Sequence, residues 1–78
     1  MTQEEALKWI EALFEQPPGS FTPKTLREDI PNWDSLGVLT LMAELDEKHG
    51  ILLPDTELRA MTRVDDILEA LRKAGKLT

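Results

Sequence analysis

Asn32-Trp33-Asp34-Ser35-Leu36-Gly37-Val38-Leu39 (NWDSLGVL) marks the place where a polar connection gives way to an apolar, helix-patterned run. Asp34 suits an N-cap, because its carboxyl can accept from a first-turn amide that has no intrahelical partner. Ser35 then opens the helix, a hydroxyl set between Asp34 and Leu36 in a chain without cysteine. The helix is expected over 35–49, with Gly50 as its stop. At about 100° per residue, Val38, Leu41, Met42, Leu45 and His49 share one stripe, the buried face. Leu36, Thr40, Ala43, Glu44 and Glu47 fall on the opposite side, with Leu39 and Asp46 on a flank. Apolar Leu36 and Ala43 thus point outward beside carboxylates, a pattern that suits a contact surface better than a solvated face.

Upstream, Pro17 to Asp34 (PPGSFTPKTLREDIPNWD) forms a connection longer than the roughly 12 residues above which loops become uncommon in compact domains. Phe21, Leu26, Ile30 and Trp33 are expected to pin it to the body, with a helical turn over 25–29. Before it, Thr2 and Glu5 have the form of a capping box. Ala6, Leu7, Ile10, Leu13 and Phe14 follow as one apolar stripe, predicting a helix over 3–15 that stops ahead of Pro17-Pro18-Gly19. Trp9 is read as a core or rim residue.

Downstream, Pro54 and Asp55 open a short helix over 55–61, with Leu58 and Met61 facing inward. A last helix is expected over 63–74. Thr62-Arg63-Val64-Asp65 reads as its capping box, with Asp65 in place of the usual Glu. Val64, Ile67, Leu68, Leu71 and Ala74 share its apolar face, and Arg72 and Lys73 sit in the last turn, where the helix dipole favours cations. With no strand-period segment, the expected fold class is all-α: one domain over 1–78, a bundle of three main helices and one short one.

The 78 residues carry 9 basic and 15 acidic side chains, a net charge of −6. Glu28, Asp29, Asp34, Glu44, Asp46, Glu47, Asp55 and Glu57 stand against Lys48 alone between 28 and 57, so the middle holds −7 and the remainder +1. Such a balance argues against nucleic acid as a partner and for basic protein surfaces. The opening MTQEEALKWI, charged from Glu4, does not read as a signal peptide, and no stretch reads as a membrane span, so a cytoplasmic monomer is expected. A small enzyme is poorly supported: one His, no Cys, and neither a Ser-His-Asp nor a metal constellation.

Asp-Ser-Leu alone is unspecific. In its setting (WDSLGVLTLMAELDEKHGILLPDTELRAM, then TRVDDILEALRKAG) the chain resembles the acyl carrier protein family over nearly its whole length. The resemblance implies that Ser35 carries covalent 4′-phosphopantetheine, with Asp34 as the motif acid and helix cap. A phosphopantetheinyl transferase would attach it from coenzyme A with Mg²⁺, the metal serving the transferase only. The arm's thiol would supply the sulfur that the chain lacks and carry acyl or aminoacyl thioesters between biosynthetic enzymes. Those partners, a loading ligase and acyltransferase or synthase enzymes, would dock basic patches on Leu36, Leu39, Ala43, Glu44, Asp46 and Glu47, with Glu57 extending the surface.

Two departures stand out. Gly37 and Thr40 replace acids usual in housekeeping fatty-acid carriers, which together with Trp33 points to a stand-alone carrier of a specialised pathway. Gly37 also weakens the first turn by about 1 kcal/mol of helix propensity, so a mobile helix start is expected. His49, where the family commonly has a buried aromatic, is read as structural, and Met42 and Met61 as adaptable core filler. The competing reading is an unmodified acidic helical interaction domain, for which Ser35→Ala would be silent.

Overall fold

Thr2 and Glu5 form the expected capping box: the Thr2 N–H donates to Glu5 Oε1 at 2.8 Å and the Glu5 N–H to Thr2 Oγ1 at 3.2 Å. This starts α1, Gln3–Leu13, in a computed structural model that describes residues 1–78. The helix ends two residues before the sequence pattern implies. Its stop is Glu15, which takes a left-handed φ of 58°, rather than the prolines beyond. The Gln16 N–H then closes on Glu11 O at 2.8 Å, satisfying a carbonyl of the last turn.

Next come α2, Ser35–His49, α3, Asp55–Arg59, and α4, Val64–Lys73. No strand forms, and the fold is the expected all-α bundle. Asp34 caps α2 through the Gly37 N–H at 2.9 Å, and Gly50 ends it at φ 64°. The α4 cap differs from the sequence reading. Asp66, rather than Asp65, accepts from the Thr62 and Arg63 N–H groups at 2.8 and 3.3 Å. Asp65 is drawn to Arg72 at 3.0 Å, and Ala74, expected on the apolar face, is exposed beyond the helix end.

The core is built from Ala6, Ile10 and Phe14 of α1, Val38, Leu41 and Leu45 of α2, Leu58, Met61, and Val64, Ile67, Leu68 and Leu71 of α4. Leu7, Leu13, Met42 and His49 are only half-buried at its margins. The connection adds Phe21, Ile30 and Trp33, with Trp33 stacked on Phe14 at 5.2 Å between ring centroids. Leu26 was expected to pin the connection, yet its side chain is 42% exposed. The backbone pins it instead. Residues 23–27 pair with Thr62 and the first residues of α4 through Arg27 N–H to Thr62 O (2.8 Å), Val64 N–H to Thr25 O (3.0 Å) and Asp65 N–H to Pro23 O (2.9 Å). The expected helical turn is a short 3₁₀ segment, Arg27–Asp29.

Glu11 holds the earlier part of the connection. It is 2% exposed, and its Oε2 accepts from the Gly19 and Phe21 N–H groups at 3.0 and 2.9 Å. A buried carboxyl is costly unless hydrogen-bonded, and here two backbone donors meet that need.

Candidate functional site

Ser35 is the first residue of α2 and is exposed. The cap arrangement explains why its surroundings suit a negative group. Asp34 engages the Gly37 N–H and Asp34 O takes the Val38 N–H, leaving the Ser35 and Leu36 N–H groups without intrahelical partners. These donors sit at the positive end of the helix dipole. The Asp34 carboxyl, already occupied as a cap, opposes that field locally.

The start of α2 is packed against the connection, a contact that the helix propensity of Gly37 alone does not reveal. Gly37 is buried, and a Cβ there would lie 2.1 Å from Asn32 O and 3.3 Å from Phe14 Cε1. The Asn32 side chain in turn donates to Phe14 O at 2.7 Å. Asn32 therefore ties the end of α1 to the first turn of α2, and position 37 has no room for any side chain. Contact with the connection thus leaves no space for an acid at this position. Beside Ser35 a cleft of about 200 Å³ is lined by Leu13, Glu15, Asn32, Asp34, Leu36, Gly37 and Thr40.

Along α2 the residues of the expected partner face are distributed unevenly. Leu36 is 72% and Leu39 51% exposed, and Ala43, Asp46, Glu47 and, on α3, Glu57 are exposed as well. Glu44 is not free in the same way. It is half-buried, accepts from Trp9 Nε1 at 3.2 Å and lies 3.7 Å from Lys48 Nζ. Trp9 meets the ring of His49 edge-on at 4.8 Å, so α1 grips the second half of α2. Burial, aided by Lys76, holds the His49 pKa below its ordinary value, with Glu44 pulling the other way. Leu52, which the sequence pattern did not single out, adds an exposed apolar side chain just past α2.

An exposed hydroxyl at the mouth of a capped helix, beside outward leucines and carboxylates on a four-helix body, is the arrangement expected of a small helical carrier. Comparison with known proteins gives the same class. The chain is 31% identical over 86% of its length to the acyl carrier protein of Campylobacter curvus, covering 86% of that protein. It is 27% identical over 94% of its length to the meromycolate extension acyl carrier protein of Mycobacterium tuberculosis, covering 67% of it. The counterpart from Mycolicibacterium smegmatis is 26% identical, with 92% of this chain and 77% of that protein aligned. No family model matches the chain. The chain belongs to the acyl carrier protein family.

Proposed function

We propose that this chain, acting as one carrier domain, is a carrier rather than an enzyme, and that Ser35 is the residue on which 4′-phosphopantetheine is mounted. The observation that carries this reading is the Ser35 hydroxyl, exposed on the first turn of α2 beside two N–H groups without intrahelical partners. A transferase can reach that hydroxyl from solvent. A phosphodiester formed there would lie against the free N–H groups and the helix dipole. The bound arm would supply a thiol for acyl thioesters, in a chain that has none of its own. Asp34 keeps the first turn formed, and the clamp through Asn32 and Gly37 fixes the serine's position relative to α1.

The partner surface of this reading comprises Leu36, Leu39, Ala43, Asp46, Glu47 and Glu57. Glu44 contributes charge while remaining bound to Trp9. Such a face steers basic partners and speeds encounter more than it tightens the complex, which suits a carrier that must leave each enzyme. No helix is long and apolar enough to cross a membrane, and the proposed setting is the cytoplasm. The unmodified interaction domain is the less favoured reading, since an acidic face alone gives the hydroxyl no task.

Intact mass spectrometry after incubation with coenzyme A, Mg²⁺ and a broad-specificity phosphopantetheinyl transferase tests the assignment. Wild type is expected to gain one phosphopantetheine and Ser35→Ala none; an unchanged wild-type mass on folded protein would end the reading. The surface is tested by Asp46→Lys with Glu47→Lys, which spares the Trp9–Glu44 contact. Transfer to a partner is expected to slow roughly tenfold at low salt, and less as screening increases, with helicity unchanged.

A further inference from the structure

Residues 23–27 (PKTLR) and 59–63 (RAMTR) contain Lys24, Arg27, Arg59 and Arg63, four of the nine basic side chains, and no acid. The fold lays these two stretches side by side. Leu26 pairs with Arg63 across an antiparallel bridge, and the Arg27 N–H donates to Thr62 O at 2.8 Å. Residues opposite one another in such a bridge carry their side chains on one face, so the exposed Leu26 and the exposed Arg63 are neighbours. The seam borders an open cavity of about 490 Å³ with Leu26 and Met61 on its apolar side, Arg27 and Arg59 as cations and Glu28 as its one acid.

Lys24, Arg27 and Arg63 form no ion pair, although the chain carries a net charge of −6. Lys24 and Arg63 are exposed, and Arg27 is half-buried. Arg27 is nonetheless fixed: its Nε and Nη1 donate to the carbonyls of Trp33 and Arg59, and its guanidinium lies 5.8 Å from the Trp33 ring centroid. The other N–H groups of the fork stay available to an outside acceptor. Arg59 is paired with Asp55 at 2.6 Å. Acids close to the seam are engaged elsewhere, Asp65 with Arg72 and Asp66 as the α4 cap, which leaves Glu28 and Asp29 as exposed carboxylates at its border. A positioned guanidinium and two mobile cations beside an exposed leucine match a segment that combines carboxylates with an apolar side chain.

We propose that this seam is a docking site for an acidic segment of a partner protein. Carboxylates of the segment meet Lys24, Arg27 and Arg63, and an aliphatic side chain lies against Leu26 in the cavity. The sign of the seam is thus opposite to that of the α2 face. A second copy of this chain is a poor occupant, because two bodies of charge −6 repel. A partner with a basic patch for α2 and an acidic segment for the seam fits one way round, since the reversed pose sets like charges together. That orientation rests on the α2 face proposed above; the seam itself requires neither that face nor an arm on Ser35.

The test titrates ¹⁵N-labelled wild type and Ser35→Ala with synthetic peptides in which one leucine is flanked by aspartates and glutamates. Control peptides replace the leucine by serine, or the acids by lysines. The acidic leucine peptides are expected to shift the amide signals of Leu26, Arg27, Thr62 and Arg63 equally in both proteins, and the lysine peptides to shift those of α2. Lys24→Gln with Arg63→Gln, two exposed cations outside the ion pairs, should weaken the acidic peptides roughly tenfold at low salt and less as screening rises, with helicity unchanged. Leu26→Ser should weaken them roughly fivefold. No seam shift from any acidic peptide, an affinity unchanged in the double variant, or equal seam shifts from acidic and lysine peptides overturns the docking site. Seam and α2 signals that broaden together as the protein alone is concentrated would assign the seam to a second copy and overturn the acidic partner. The mass gain that tests Ser35 is independent of all these outcomes.

Discussion

The two parts of the long connection are held to the body by different means. From Gln16 to Phe21 the backbone is gathered around the Glu11 carboxyl, which is buried and accepts two N–H groups. From Pro23 to Arg27 backbone pairs with Thr62, Val64 and Asp65 do the holding, and Ile30, Asn32 and Trp33 dock the stretch next to the serine. Side-chain chemistry there is left incomplete: Leu26 is exposed, Arg27 has no counter-ion and the Trp33 N–H has no acceptor. The segment remote from Ser35 is thus satisfied, and the segment beside it is not. Natural folds tend to break local rules where function needs it, and the unmatched groups cluster at that end.

The largest effect is expected from breaking the satisfied part. Glu11→Ala removes the acceptor for both N–H groups, of which the one on Phe21 is buried. Hydrogen bonds to such a group are individually worth about 1.5–3 kcal/mol, so a loss of about 3 kcal/mol is expected. That is most of the roughly 3–5 kcal/mol available to a domain of this size. Urea denaturation followed by circular dichroism measures it. Glu11→Gln keeps one acceptor oxygen and should lose about 1 kcal/mol. If Glu11→Ala unfolds at the wild-type midpoint, the contrast between the two parts disappears.

A smaller loss is expected at the serine end. Gly37→Ala gains about 1 kcal/mol of helix propensity but sets its Cβ 2.1 Å from the Asn32 carbonyl, which must then move. Overpacking of this kind typically costs 1–3 kcal/mol, so a net loss of roughly 1 kcal/mol is expected in the same denaturation assay. The clamp also predicts faster amide exchange in this variant at residue 37 and at Val38, whose N–H groups bond Asp34, visible by NMR. A stabilised Gly37→Ala with unchanged exchange would mean that α2 starts without help from the connection.

These two positions also show what could be read from the chain alone. The limits of α2, the Asp34 cap and the Thr2–Glu5 box depend on residues within four positions of one another, and local chemistry decides them. Gly37 needs Asn32 and Phe14, and Glu11 needs Gly19 and Phe21, partners that only the folded connection supplies. Gly37 therefore looked like a weak first turn, and nothing in the sequence pattern singled out Glu11. The α4 cap failed for a related reason: Arg72, seven residues further on, draws Asp65 away and leaves Asp66 to cap. The serine and its exposed leucines were legible because a helix start and a 3.6-residue period suffice to place them. The cavity beside Trp33 was not, since it is bounded by segments about thirty residues apart.

Glu15 offers the finest test of where this fold tolerates strain. It immediately precedes the satisfied part, and it lines the cleft beside Ser35. Its backbone is the one non-glycine φ in the left-handed region, at 58°. Glycine is the usual residue at such a helix stop. Left-handed backbone disfavours an L-residue by about 1–2 kcal/mol, whereas glycine adds about 0.5–1 kcal/mol of chain entropy to the unfolded state. Glu15→Gly is therefore expected to stabilise the chain by roughly 0.5 kcal/mol. Glu15→Ala, which keeps the strain and removes the carboxyl, should move the urea midpoint little. A gain from glycine alone assigns the strain to the backbone at the cleft and leaves the carboxyl without a stabilising role. Equal gains from both would instead trace it to repulsion between Glu15 and Asp34 across the cleft.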